Sequence, residues 1–338
     1  MLRPIYLPAL GLAFCVGCSS VRMTGESVVL IGQEKGRLAY EHISVSSVRS
    51  TYRDHLPTTV HYEAGRDYLI DPAAGEIQRT PQSRIPDFST NILYGKEDFN
   101  HGNFPGYGNG KFFAFIDYSF QARHPRTKLI TTRLEKTRQK LQSGQSLKIV
   151  AFGDSITAGG EATDPSLIFW QRWADELKAK YPTAKIEAIN GATGGDTTAN
   201  GLQRLQAKVL DQKPDVVLIG FGMNDHNREG FGVPLETFAE NLRTMIDRIR
   251  ASTSAEVVLY STFPPNPKWH FGSHRMEVYA DATAKVAQEK GCAFADVYHR
   301  WQSIAERKKP EDLLGNNINH PNDFGHWIYL EALNELGL

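Results

Sequence analysis

Cysteine is scarce in this chain: the 338 residues carry only Cys15, Cys18 and Cys292. So few thiols exclude a disulfide framework, and stability must come from buried apolar surface. Neither sign of charge is in excess, with 38 Lys and Arg against 38 Asp and Glu. That balance argues against a nucleic acid or a polybasic membrane patch as the partner and favours a neutral substrate. The N-terminal apolar run, Ile5–Val16, is too short to span a bilayer. The histidines show neither HxH nor HExxH spacing, so no metal and no other cofactor is predicted. Hydrophobic residues make up 41% of the chain, which is enough to build cores rather than a disordered polymer.

The short apolar run has the length of a signal-peptide core and follows Arg3. It ends in Cys-Val-Gly-Cys-Ser-Ser, which resembles a bacterial lipoprotein box, although Cys15 stands where leucine is more usual. The resemblance implies a signal peptide over residues 1–17, lipidation at Cys18 and an anchored linker over 18–26. It also implies export, with the membrane as a partner through the lipid and the mature protein held at the cell envelope. Cys292 would then be the one remaining thiol, so no intramolecular disulfide is expected.

The remainder divides in two. Residues 27–123 contain short apolar alternations at Val28–Ile31, His42–Val45, Thr59–Tyr62, Tyr68–Ile70 and Phe112–Phe120. Asp71–Gly75 reads as a hairpin loop, and the segment predicts a small β-sandwich-like accessory domain. Residues 124–146 form a connecting segment, with a charged helix expected over Thr127–Gln142. From 147 to 338 strands and helices alternate. The strands are read at Leu147–Phe152, Lys185–Ile189, Asp215–Gly220, Ala255–Ser261 and Ala293–Val297, and Phe238, Leu242, Met245, Ile246 and Ile249 make one helical stripe. This pattern predicts an α/β domain with a parallel sheet covered on both faces, whose site lies at the carboxyl ends of the strands.

The chemistry-bearing residues fall at those ends. Strand one runs into Gly153-Asp154-Ser155-Ile156-Thr157, strand two into Gly194-Gly195-Asp196-Thr197, and strand three into Gly222-Met223-Asn224-Asp225. His320 opens the last helix. Each block alone reads equally well as a helix cap or a glycine turn. Together, in this order, they resemble the SGNH (GDSL-like) hydrolase family over roughly Leu147–Leu338. That resemblance implies a flavodoxin-like α/β/α sandwich and ester hydrolysis, with Ser155 as nucleophile and His320 as general base. It also implies an oxyanion hole built from the Ser155 and Gly195 N–H groups and the Asn224 amide. A serine hydroxyl needs such a base, and fixed donors gain strength as charge reaches the substrate oxygen.

One position departs from the family. Three residues before His320, where aspartate is usual, stands Asn317. Three readings follow: a Ser-His dyad oriented by a backbone carbonyl or by Asn317, another carboxylate (Glu311, Asp312 or Asp323), or a binding module without turnover. His326 reads as scaffold. The expected substrate is an acetylated carbohydrate, because mean hydropathy is negative and no apolar lid is evident. The aromatics around Phe99–Phe113 belong either to packing or to a sugar-stacking surface. A lysophospholipase or thioesterase activity is the alternative within hydrolases.

Overall fold

The computed structural model describes residues 20–121 and 133–338. The expected signal peptide (residues 1–17), Cys18 and part of the expected connecting segment therefore lie outside the described residues. The first half contributes β1 (Ser20–Val28), β2 (Gly36–Arg37), β3 (Ser44–Arg49), β4 (Tyr68–Asp71), β5 (Glu76–Arg79) and β6 (Ala114–Gln121). These form two antiparallel three-stranded sheets, β1-β6-β3 and β2-β5-β4. The β4–β5 hairpin turns where expected, with Asp71 Oδ1 accepting from the Ala73 and Ala74 amides. The strand expected at Thr59–Tyr62 is reduced to a single bridge between His61 and Arg49. β1 starts earlier than its apolar pattern indicated. A bulge between Met23 and Glu26 breaks the two-residue alternation, and there the Gly25 N–H donates to Asp117 Oδ1 at 2.7 Å.

The second half opens with α1 (Glu135–Gln142) and β7 (Leu147–Gly153), followed by α2 (Ser155–Ala158) and α3 (Phe169–Lys180). Next come β8 (Ile186–Asn190), α4 (Thr198–Lys208), β9 (Val216–Gly220), α5 (Leu235–Ser252) and β10 (Glu256–Tyr260). The chain finishes with α6 (Met276–Lys290), β11 (Ala293–Ala295), α7 (Val297–Ala305), α8 (Pro310–Leu313) and α9 (Asp323–Asn334). The five strands are parallel in the order β11-β10-β9-β7-β8. β9 is buried along its whole length, as a central parallel strand covered by helices must be. The expected apolar stripe of α5 is its buried face.

One core runs through both halves: Met23, Val28, Ile116 and Tyr118 belong to the same apolar cluster as Phe324 and Leu330. A buried polar clamp reinforces the junction. Lys308, between α7 and α8, pairs with Glu26 of β1 at 2.9 Å, with both side chains fully buried. Its ammonium also donates to the Ser27 and Arg37 carbonyls at 2.8 and 3.0 Å. Glu26 in turn accepts from the Ala39 amide at 2.9 Å and from Tyr118.

Removing one member of such a pair leaves the other charge buried and alone. Lys308→Met is expected to destabilise the protein by about 3–5 kcal/mol in urea unfolding. A loss under about 1 kcal/mol would mean that the clamp is not holding the two halves together.

Candidate active site

The carboxyl edge of the sheet is shaped by close backbone approach. β7 and β9 meet as Gly153 against Gly220. A Cβ on Gly220 would lie 1.8 Å from the Tyr260 ring, so only glycine admits that ring against the strand. Tyr260 and Thr157 then share a hydrogen bond of 2.6 Å, and Trp170 Nε1 donates to the Thr157 carbonyl at 2.8 Å. These contacts pin the one-turn helix α2. Asp154 caps it, accepting from the Ile156 amide at 2.9 Å, and Ser155 is its first residue.

His320 reaches Ser155 from the far end of the chain: its Nε2 is 2.9 Å from Ser155 Oγ. The loop that delivers it is organised by Asn316, whose Oδ1 accepts from the amides of Ile318, Asn319 and His320 at 2.9, 3.0 and 3.0 Å. Sequence reasoning assigned Asn316 no role. Its signal was present, since asparagine commonly accepts from amides two or more residues ahead. Asn322 caps α9 through the Gly325 amide and holds Ser27 and the Asp312 carbonyl through its own amide.

Ser155, Gly195, Asn224 and His320 line one cavity of about 570 Å³. Gly195 has φ +78°, a conformation that favours glycine. Its N–H has no protein acceptor among the described residues. Asn224 Nδ2 donates to the Asp196 carbonyl at 2.9 Å, which fixes the orientation of the amide and leaves its second proton for a ligand.

None of the residues expected to orient His320 hydrogen-bonds to it. Asn317 is buried and turned toward Asn266, whose Nδ2 donates to the Asn317 carbonyl and Oδ1 at 2.9 and 3.2 Å. Asp323 accepts from the Thr163 amide and hydroxyl, and Asp312 from the Val29 and Lys309 amides. Glu311 lies on α8, and its carbonyl accepts from Asn109. The carboxylate facing His320 Nδ1 is that of Glu161, at 3.9 Å. His326 is buried, stacks on Phe169 and lies 3.2 Å through Nε2 from the Gly159 carbonyl. Burial depresses its pKa to about 3, so it remains a neutral part of the core.

The outer wall of the cavity is aromatic. His101 and Tyr107 come from the first half and Phe231, Trp269 and Phe271 from the second. Trp269 Nε1 donates to His101 Nδ1 at 3.1 Å, and burial lowers the His101 pKa. The Phe99 amide donates to the Lys268 carbonyl, and the Phe99 carbonyl accepts from the His270 amide. The Asn109 amide donates to the Gly315 carbonyl at 2.7 Å. The aromatics of the 99–113 segment thus divide. Phe99, Phe112 and Phe113 are core, while Tyr107 faces the cavity.

Burial, with repulsion from Asp225 and Asp196 opposing backbone hydrogen bonds, raises the Asp154 pKa to about 7. Between pH 3.8 and about 7 the folded carboxyl keeps a proton that the unfolded chain has lost. Stability from this group is therefore full below pH 3.8 and is lost as pH rises through 7. Asp154→Asn keeps the acceptor for Ile156 without titrating. Its melting temperature is expected to fall less than the wild type's between pH 5 and 8, and parallel curves would contradict the assignment.

Residues 151–328 match the profile of the GDSL-like Lipase/Acylhydrolase family. An arylesterase from Vibrio mimicus is 33% identical over 186 residues, covering 55% of this chain and 86% of its own. An acetylxylan esterase from Geobacillus stearothermophilus is 24% identical over 215 residues, covering 59% of this chain and 96% of its own. The crystal structure of that esterase, Axe2, matches with a TM-score of 0.50 at 24% identity, over 57% of this chain and 94% of its own, a likeness of fold. The uncharacterized lipoprotein YqeF of Bacillus subtilis is 32% identical over 148 residues, 43% of this chain and 59% of its own. The matched segment takes in the three strand ends and the histidine loop, and the chain belongs to the GDSL-like lipase/acylhydrolase family of carboxylic ester hydrolases.

Proposed function

We propose that the protein removes O-acetyl groups from a carbohydrate, with Ser155 as nucleophile and His320 as its base. The observation that carries this reading is the 2.9 Å contact between Ser155 Oγ and His320 Nε2 at the mouth of an aromatic-walled cavity. Ser155 Oγ attacks the acyl carbon while its proton passes to His320 Nε2. The resulting oxyanion is received by the Ser155 and Gly195 N–H groups and Asn224 Nδ2, each worth on the order of 3 kcal/mol in the transition state. The imidazolium then protonates the departing sugar oxygen, leaving acyl-Ser155. Water, deprotonated by His320, releases the acid and restores the hydroxyl.

The cavity supports a neutral polar substrate. Beside the aromatic wall its lining offers the amides of Asn224, Asn227 and Asn319, and among the described residues it contains no Lys, Arg, Asp or Glu. Amides hydrogen-bond sugar hydroxyls and aromatic faces stack on pyranose rings, whereas a long acyl chain asks for a continuous apolar tunnel. The acetylxylan esterase relative is consistent with this choice.

With p-nitrophenyl esters, kcat/KM is expected to fall at least about tenfold from acetyl to octanoyl, a loss of about 1.4 kcal/mol in transition-state binding. Ser155→Ala should lower it by more than about 10³-fold. Acetate release from acetylated xylo- or manno-oligosaccharides should also depend on Ser155. A preference for octanoate would overturn the carbohydrate reading in favour of a lipid esterase.

We also infer that the protein is an envelope lipoprotein anchored through Cys18, a reading supported by the leader sequence and by the lipoprotein relative. Expressed from its full reading frame in a bacterium, the wild type should partition into the detergent phase and Cys18→Ser into the aqueous phase. Equal partitioning would reject lipidation.

A further inference from the structure

We propose that Glu161, supplied by the nucleophile block itself, is the carboxylate that orients His320 and balances its charge, replacing the aspartate that Asn317 displaced. This inference rests on the Ser155–His320 reading above.

Asn317 is not free for the task. Its backbone is left-handed, at φ +61°, and its carbonyl and side-chain oxygen both serve Asn266. Asn266 is itself tied into the loop, its amide donating to the Ile318 carbonyl at 2.7 Å. An asparagine there at best accepts one hydrogen bond, and it cannot neutralise an imidazolium.

The path of the chain after Ser155 brings a different carboxylate to the ring. Helix α2 is only one turn long, and the Gly160 amide closes it by donating to the Ser155 carbonyl at 2.8 Å. The Gly160 backbone lies against the histidine: a Cβ on it would be 3.4 Å from His320 Cβ. The next residue, Glu161, therefore emerges beside the imidazole. Its stem is then trapped. A Cβ on Gly315 would sit 2.2 Å from Glu161 Cβ and 2.7 Å from Cγ, so Gly315 must be glycine for Glu161 to lie where it does. Gly315 is in turn part of the histidine loop, donating its amide to the His320 carbonyl at 2.9 Å. Two backbone contacts thus hold the glutamate stem and the histidine backbone in one arrangement, with Oε1 3.9 Å from Nδ1. That separation is ionic range rather than a hydrogen bond. The carboxylate is 45% exposed, and rotation about its last two bonds can shorten the contact as Nδ1–H gains positive character.

Solvent screening makes a half-exposed carboxylate weaker than a buried one, so its removal should cost less than the roughly 10⁴-fold known for a buried triad aspartate. Other titrating groups near the pair are unchanged by the substitution. His326, its pKa depressed by burial, and Asp154, its pKa raised by burial, are present in wild type and variant alike. A difference between their pH profiles therefore reports Glu161.

The test measures kcat and kcat/KM for p-nitrophenyl acetate from pH 5 to 9 in wild type, Glu161→Gln, Glu161→Asp and Ser155→Ala, with melting temperatures as a folding check. Glu161→Gln is expected to lose about 10- to 100-fold, mainly in kcat. Its acidic limb should move to lower pH, because an imidazolium without its anion gives up a proton more readily. Glu161→Asp should keep the limb nearer its wild-type position. Wild-type kcat with an unmoved limb in Glu161→Gln would overturn the proposal while leaving the Ser155 reading intact. So would equal losses in Gln and Asp with unmoved limbs, the mark of a merely structural role. Activity surviving in Ser155→Ala would overturn both.

Discussion

The structure depends on one constraint: an imidazole must be held within hydrogen-bond reach of a serine hydroxyl that lies 165 residues earlier in the chain. A parallel sheet meets half of this requirement, because it places every strand's carboxyl end on one edge. The other half falls to the short segment between α8 and α9, which has no regular structure to position it. Asn316 supplies the order there, gathering three amides on one oxygen, and Asn322 anchors the start of α9. In the proposed mechanism a flexible histidine would forfeit most of the advantage of proximity, since that chemistry requires the base to be in place before the substrate arrives.

The first half of the chain serves the same end. Its sheets share an apolar core with the parallel domain, and its polar anchors converge on the segment that carries the histidine. Ser27 contacts Asp312 and Asn322, Val29 binds Asp312, and Asn109 binds Gly315, Glu311 and Leu314. The same half contributes His101 and Tyr107 to the cavity wall. It buttresses the histidine loop and, in the proposed function, forms part of the substrate surface, which gives a physical reason for the buried Lys308–Glu26 pair to lie between the two halves.

Much of the parallel domain was legible in the sequence because buried parallel strands read as unbroken apolar runs. Val216–Gly220 and Glu256–Tyr260 are found within a residue of where Val and Ile clusters put them. The four motif residues could be placed on one edge for the same reason: each follows a strand. The first half was harder. Its bulge at Gly25 and the lone bridge at His61 arise from contacts distant in sequence, which alternation cannot encode. The surroundings of His320 were the least legible part. Asp312 and Asp323, near it in sequence, bind other partners, whereas Glu161, 159 positions earlier, faces it, because a one-turn helix and two glycines fold the nucleophile block back on the histidine loop.

In the proposed reaction Ser155, activated by His320, forms the acyl-enzyme. The most direct measurement is intact-protein mass spectrometry with peptide mapping after exposure to a small fluorophosphonate, which captures activated serines. One adduct per chain is expected, on the peptide bearing Ser155, and it should disappear in His320→Ala. An adduct on another residue, or none in an otherwise active preparation, would contradict it.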